Sequence, residues 1–453
     1  MYLIYSFLLT VGFLILLPRF AIDAVRNGKY VTGLRERLGR VPRLEPSGRP
    51  SIWLHCVSVG ETEAARPLLR ALRERLPSYR LVVTTTTVTG QRVARQAFKD
   101  DADLIFYFPI DWSWTVRRVL DAVNASALLI VETELWPNLL RECGRRSIPV
   151  ALINGRISPK SFRRYATIRP FMRRVLNDLA AGLMQSDADA KRIALLGLDQ
   201  TRIEISGNLK FDSALSAPVD NQVAPEISTR FGFTSDQPLI VAASTHSPEE
   251  NIVLTAFKQI RATDQRPRLL IAPRHPERFE DVAKLIEDSG FSWSKRSAVP
   301  SPADAKADIV LLDSIGELRA AYQSADLAFM GGSLIPHGGQ NPLEPAAQAV
   351  CVVTGAHTHN FADIIRALRD RDAIVQLPVI PLDDAPGALA NAFAELLRDD
   401  SRRTSIGARA QEVCAENRGA TERTVGMIAN LLEPAAATAD VPSFSNARLT
   451  AAK

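Results

Sequence analysis

Twelve short apolar runs, alternating with segments of helical period, set the tightest limit on what this chain can form. In the first half they are SIWLHCVS, RLVVTTT, ALLIVET, PVALING, AGLMQS and RIEISG; in the second, PLIVAAST, RLLIAPR, DIVLLDS, ADLAFMGG, AVCVVTG and AIVQLP. Each run is continuously apolar rather than apolar at alternate positions, so both faces of its strand must be covered. Strands of that kind, separated by helices, pair in parallel with right-handed crossovers. Two such sets predict two doubly wound, Rossmann-like α/β domains, and 453 residues is a length that needs more than one core. The stretch SALSAPVDNQVAPEIST, residues 213–229, is rich in small, polar and proline residues and is the expected linker. It divides a first domain, 23–212, from a second, 230–415, with a carboxy-terminal helix expected over 416–433 and a fraying tail over 434–453.

The amino terminus departs from this pattern. YLIYSFLLTVGFLILL, residues 2–17, carries no charge, and with Pro18–Ile22 it reaches the roughly 20 residues of a membrane span. It lacks the basic start and small-residue cleavage site of a secretory signal. Residues 1–22 are therefore expected to be an uncleaved anchor helix, a buried or interfacial helix being the alternative. Arg19–Arg43 holds seven Lys/Arg against two acids, which by the positive-inside rule leaves the rest of the chain in the cytoplasm. Four scattered cysteines, without a CxxC pair or zinc-spaced histidines, signal neither a disulfide framework nor a metal site. The net charge of +5 is uneven: Arg141–Arg174 contains ten Lys/Arg and one acid, Glu142, a patch suited to an anionic partner.

Ligands of doubly wound sheets bind at the carboxyl ends of strands, so two facing domains would share one cleft. Several strands run into X-Pro helix starts there: ETELWPNLL, STHSPEEN, APRHPERF and GGQNPLEPAA. Proline fits the first helical position, and Ser247 with Glu250 and Asn341 with Glu344 have the spacing of capping boxes. Each motif alone is ordinary capping. The clustering of the last three after strands of the second domain, with the turn DSIGELRAA, rings one crevice edge with helix amino termini and suits an anion. The chain contains neither GxG nor GxxxxGK[ST], which excludes the dinucleotide fingerprint and the P-loop. Acid pairs in DDADLIF and SDADAKR lack flanking glycines and make poor metal sites. In the first domain, HCVSVGETEAARPLL breaks a strand with one glycine and puts Glu61 and Glu63 at a helix start.

These segments together resemble 3-deoxy-D-manno-octulosonate (Kdo) transferases of lipopolysaccharide assembly. The resemblance rests on HCVSVGETEAARPLL, YFPIDW, VETELWPNLL, NGRISPKSFRRY, SGNLKFD, STHSPEE, PRHPERF and GGQNPLEPAA, and it extends from residue 1 to about residue 430. It implies a GT-B type glycosyltransferase of the inner membrane, with its catalytic domains cytoplasmic. Such an enzyme moves Kdo from CMP-Kdo to the acylated, bis-phosphorylated disaccharide of the lipid A precursor, with inversion and without a cofactor or required metal. The partners implied are CMP-Kdo, the lipid A precursor and membrane lipids, and no nucleic acid.

Carried over residue by residue, the resemblance makes Glu61 the general base and gives Glu132 and Lys210 supporting roles in the transition state. It assigns CMP contacts to Pro273 and Arg274, to Gly316, Glu317 and Leu318, and to Asn341, Pro342, Leu343 and Glu344. A helix amino terminus favours an ionised Glu61 and limits its basicity, and domain closure would raise its affinity for the proton. Without the resemblance, Glu61 would read as a complement to the helix dipole, Lys210 as a surface ion pair and Glu132 as a cap or the partner of such a cation. Arg156, Lys160, Arg163 and Arg164 are expected to hold acceptor phosphates or anionic lipid, pairing with carboxylates being the alternative. The rival functions are another glycosyltransferase or nucleotide-sugar epimerase of the same form, and a membrane-tethered binding module.

Overall fold

The computed structural model of the protein describes residues 1–27, 32–42, 44, 48–216, 222–234, 236–262 and 266–437. Its strands make two seven-stranded sheets, and every pairing in them is parallel. The first contains β1 (Ser51–Cys56), β2 (Arg80–Thr85), β3 (Leu104–Tyr107), β4 (Ala125–Val131), β5 (Val150–Gly155), β6 (Ala181–Met184) and β7 (Ile203–Ile205), in the order β3-β2-β1-β4-β5-β6-β7. The second contains β8 (Leu239–Thr245), β9 (Arg268–Pro273), β10 (Trp293–Lys295), β11 (Ile309–Leu311), β12 (Leu327–Met330), β13 (Cys351–Thr354) and β14 (Val375–Gln376), in the order β10-β11-β9-β8-β12-β13-β14. The direction of winding reverses between β1 and β4 in one sheet and between β8 and β12 in the other. Loops diverge at such points and leave a crevice at the carboxyl ends of the strands.

All twelve apolar runs contain strands. The two strands absent from that set, β3 and β10, lie at sheet edges, where only one side is hydrogen-bonded and three half-buried residues such as Trp293–Lys295 suffice. The interior strands β1 and β9 are buried along their whole length, as continuous apolar runs require. Trp53, at the middle of β1, is fully buried and donates its indole N–H to Thr84 Oγ1 at 2.8 Å. In that way a wide side chain enters the core without an orphaned donor.

Contacts divide the chain into two compact units, one of Met1–Ser213 with the chain from Arg418 on, the other of Ala214–Asn417. The stretch expected to link them begins in the helix Leu209–Ser216 and is helical again from Val223, in the helix Val223–Phe231, which buries Ala224, Ile227 and Phe231. Residues 217–221 of it lie outside the described residues. The second unit ends with the helix Asp400–Glu416, and a carboxy-terminal helix, expected over 416–433, runs Ala420–Ala437. The latter returns to the first unit, where Val425, Ile428 and Leu432 join the core with Leu68, Leu69 and Leu72. Asp212 caps its start by accepting the Gly419 and Thr421 N–H groups at 2.8 and 2.6 Å. Most of the tail expected over 434–453 lies outside the described residues.

The expected anchor requires correction. Among the described residues no helix is long and apolar enough to cross a membrane. The helix Tyr2–Asn27 instead gives one face to the first unit. Tyr2 Oη donates to Asp178 at 2.7 Å, Ser6 and Asn138 exchange hydrogen bonds, Trp112 Nε1–H donates to Thr10 Oγ1 at 3.1 Å, and Arg141 lies over the Tyr2 ring. A spanning helix surrounded by hydrocarbon cannot keep polar partners of this kind along one side. Its other face leaves Leu3, Ile4, Phe7, Leu8, Leu14 and Ile15 exposed.

Candidate functional site

In the first unit the three expected catalytic positions converge at the switch point. Glu61 follows β1 and Glu132 follows β4, the two strands between which the winding reverses. Ser58 is the N-cap of the helix Val59–Arg75, its hydroxyl oxygen accepting the Glu61 N–H at 3.4 Å. The Glu61 side chain bends back, taking the Val57 N–H at 2.6 Å on Oε2 and the Ser58 hydroxyl at 2.9 Å on Oε1. This is a variant of the capping box, in which the glutamate takes the N–H one residue before the N-cap, and its S-x-x-E spacing stands in the sequence as SVGE. Capping fixes the carboxylate's place without using all its lone pairs, since an ionised carboxylate has about four acceptor sites.

Burial, then the Glu132 and Glu134 carboxylates, push Glu61 up to about 7, against the Val57 N–H and the Ser58 hydroxyl, which favour ionisation. The unit itself supplies the raised proton affinity that had been expected from closure. Glu63 is exposed and takes no part.

Glu132 has φ +59°, a left-handed conformation that is uncommon for a residue with a Cβ and is found at functional sites. Lys210 Nζ bonds its Oε1 at 3.1 Å, and both side chains are largely covered. The helix Leu209–Ser216 that carries Lys210 is pinned where Asn154 Oδ1, at the end of β5, accepts the Leu209 N–H at 3.0 Å. Asp212 ties the same helix to the returning carboxy-terminal one. Four separated segments thus fix one constellation.

The basic positions lie alongside. Arg156 is half-buried, with its carbonyl against the Thr133 hydroxyl. Lys160, Arg163 and Arg164 are exposed on the helix Pro159–Thr167 and form no ion pair with described residues. Tyr165 of that helix lies close enough to Glu134 for the carboxylate to raise its proton affinity, though burial raises it more. Glu134 was not legible as part of the site, because only the turn after β4 brings it near Glu61.

In the second unit the expected nucleotide contacts all follow strands at the carboxyl edge. Pro273 ends β9, and Arg274 is exposed beyond it, without an ion pair among the described residues. Gly316 has φ +93° in the turn after β11. Glu317 is gripped by Arg296 at 2.9 and 2.7 Å and by Ser314, and the Arg296 hydrogen bond holds it below the usual carboxylate range. Leu318 opens the short helix Leu318–Ala321. After β12, the Asn341 side chain accepts the Leu343 N–H at 3.1 Å, Pro342 is the N-cap of Leu343–Ala346, and Glu344 lies in the field of Arg319.

The capping box expected at Ser247 does not form. Asn341 caps the turn through Leu343, and Glu250 instead pairs with Arg278 at 2.6 Å. Glu249 makes the reciprocal contact, one position earlier. Its fully buried carboxylate accepts the His246 and Gly332 N–H groups on Oε2 at 3.1 and 2.6 Å, and those of Ser333 and Leu334 on Oε1, both at 3.0 Å. It locks the loop after β8 to the loop after β12. Sequence reading missed this because three of the four donors are more than eighty positions away.

Residues 32–213 match the family described as 3-deoxy-D-manno-octulosonic-acid transferase (kdotransferase). The 3-deoxy-D-manno-octulosonic acid transferase of Haemophilus influenzae is 34% identical over 429 residues, covering 95% of this chain and 98% of that one. The protein of the same name from Bordetella pertussis is also 34% identical, over 90% of this chain and 93% of the other. Among solved structures, UDP-GlcNAc 2-epimerase from Neisseria meningitidis matches 84% of this chain and 100% of its own at a TM-score of 0.57. At 10% identity that likeness establishes the two-sheet, GT-B-like fold and nothing of the reaction. Shared residues along almost the whole length of two named transferases settle the family: this chain belongs to the 3-deoxy-D-manno-octulosonic acid transferases, which are glycosyltransferases.

Proposed function

We propose that the chain transfers Kdo from CMP-Kdo to the tetraacylated, bis-phosphorylated disaccharide precursor of lipid A (lipid IVA) in lipopolysaccharide assembly, inverting the anomeric centre. The acceptor hydroxyl gives its proton to Glu61, its oxygen bonds to the anomeric carbon, and the carbon–oxygen bond to phosphate breaks with its electron pair leaving on CMP. The observation that carries this reading is Glu61, buried beside Glu132, fixed by Val57 and Ser58, with a proton affinity near neutrality. A base works best when its pKa lies near the working pH. In this reading Lys210 holds Glu132, and the pair supports the charge that develops during transfer.

The second unit is proposed to hold CMP. Arg274 suits the phosphate, while the engaged Glu317 side chain leaves nucleotide contact at Gly316, Glu317 and Leu318 to the backbone; Pro273, Asn341, Pro342, Leu343 and Glu344 complete the site. A single bridging phosphate leaves less charge than a diphosphate, so arginine and lysine can stabilise its departure without a metal. The decisive experiment supplies CMP-Kdo with and without the lipid acceptor: CMP should be released only when both are present. Release of CMP that is independent of acceptor would sink the assignment.

Arg156, Lys160, Arg163 and Arg164 are proposed to receive the acceptor's phosphates. Reversing charge at Arg163→Glu with Arg164→Glu should raise the KM for the lipid acceptor about tenfold or more and leave that for CMP-Kdo within twofold. An unchanged acceptor KM would return these residues to the role of a solvated face.

We also propose that the amino-terminal helix lies along the inner-membrane surface rather than through it. Leu3, Ile4, Phe7, Leu8, Leu14 and Ile15 recur at helical spacing on the face turned from the protein. Amphipathic helices of this kind bury one side in the interface, and nearby Lys/Arg add about 1 kcal/mol each toward anionic lipid. The triple change Ile4→Ser, Phe7→Ser and Leu8→Ser should abolish cosedimentation with anionic phospholipid vesicles. Undiminished cosedimentation would place the attachment elsewhere.

A further inference from the structure

Five of the chain's six histidines follow strands β8, β9, β12 and β13 of the second unit, and three of them meet. The His246 ring lies 4.1 Å from that of His337 and 5.2 Å from that of His275, centroid to centroid. His246 forms a buried floor, with its Nε2 3.0 Å from Gln340 Nε2, and His275 and His337 stand exposed above it. The three belong to the loops after β8, β9 and β12, on both sides of the switch point. Sheets of this class take their ligand there.

The charged groups around the rings leave an opening for an anion. Glu249 is filled by four backbone N–H groups, Glu250 by Arg278, and the exposed Glu277 lies 3.9 Å from His275 Nδ1. Because Glu249 occupies the N–H groups of Gly332, Ser333 and Leu334, an incoming anion must be met by side chains instead. Arg274 is adjacent in sequence to His275 and contributes to the positive field at His246. Among the described residues no group of three or more His, Cys, Asp or Glu is arranged to hold a metal ion, so the trio is not a set of ligands in waiting.

A 2-ulosonic acid carries its carboxyl group on the anomeric carbon, the same carbon that bears phosphate in the activated sugar. The two anions of the donor are therefore inseparable in space, and whatever grips the phosphate has the carboxylate beside it. We propose that His246, His275 and His337 form the subsite for that sugar carboxylate, next to the phosphate at Arg274; this deepens the donor reading above and rests on it. A neutral imidazole at His246 has a chemical advantage over arginine at this position. As the bond to phosphate breaks, positive charge develops on the anomeric carbon, and an adjacent carboxylate stabilises it only if its own charge has not been cancelled. A neutral N–H donor orients the carboxylate and leaves that charge in place. Burial, followed by repulsion from His337, His275, Arg274 and Arg278, lowers His246 to about 4, consistent with a neutral ring at physiological pH.

The test compares CMP, which has phosphate but no sugar carboxylate, with CMP-Kdo, using the full chain. His337→Ala and His275→Ala, both exposed, should each raise the KM for CMP-Kdo at least tenfold while the Kd for CMP stays within twofold. His246→Asn, which keeps an N–H donor, should be milder than His246→Leu. Parallel weakening of CMP and CMP-Kdo would assign the rings to the phosphate and overturn the subsite, as would an unchanged KM in the His337 and His275 variants. If wild-type chain binds CMP and turns over CMP-Kdo, either failure falls on the histidines alone. If it does neither, the donor reading falls and takes the subsite with it.

Discussion

Glu61→Gln is expected to lower kcat for Kdo transfer by roughly 10²- to 10⁴-fold, the contribution of a positioned base, with the fold intact. Glutamine keeps the shape and can still accept the Val57 N–H, so the loss isolates the missing proton acceptor. Turnover within twofold of wild type would remove Glu61 from the mechanism. In the wild-type chain the acid limb of the kcat/KM profile should bend near pH 7, because burial and Glu132 push Glu61 up to about 7. An acid limb bending near pH 4.5 would show that the site does not tune this carboxyl.

The same variant should be more stable than wild type in alkaline solution. A carboxyl raised from about 4.5 unfolded to about 7 folded is held in a place that disfavours its charged form. Its cost to the fold is absent below the unfolded value, grows as pH rises through the interval, and is complete above 7. Glu61→Gln escapes that cost, which amounts to about 3 kcal/mol at pH 8 and vanishes by pH 4. Denaturation midpoints at the two pH values measure it. A raised proton affinity at this position is thus obtained at the expense of stability.

Glu249→Ala should have the largest effect on stability, about 4 kcal/mol. The substitution deletes a fully buried carboxylate and leaves the N–H groups of His246, Gly332, Ser333 and Leu334 without their acceptor. Each stranded donor costs about 1–3 kcal/mol, reduced in sum by relaxation and entry of water. Chemical denaturation that follows the second unit checks this, and a loss under 1 kcal/mol would mean that the loops hold their places without the carboxylate. Glu249→Gln should fall between, since one amide oxygen can serve two donors while its NH₂ faces the others.

Particular residues show how far the chain could be read before folding. Continuous apolar runs such as LLIV in β4 and LIVAA in β8 announce buried parallel strands, because period and polarity are local properties that tertiary packing seldom overrules. β3 and β10 escaped because edge strands are short and half-covered, so their sequences carry little of that signal. The uncharged opening stretch gave its apolarity correctly and its placement wrongly. Tyr2, Tyr5, Ser6 and Thr10 look like minor polar interruptions of a span, and their meaning lies in Asp178, Asp111, Asn138 and Trp112, more than a hundred residues away.

The functional site divides along the same line. Glu61 at a helix start, the arginine-rich helix of residues 159–167 and the strand-end prolines are matters of spacing along the chain, and spacing is written there. Proton affinity is not, because it depends on how much water is removed and which charges are brought close. Glu61 owes its value to burial first and then to Glu132 and Glu134, Lys210 meets Glu132 across 78 positions, and Glu249 finds three of its four donors after another strand. Local chemistry chose the elements and the kinds of residue at their ends. Desolvation and long-range Coulomb contacts, which exist only once separate loops share one edge of a sheet, assigned those residues their roles.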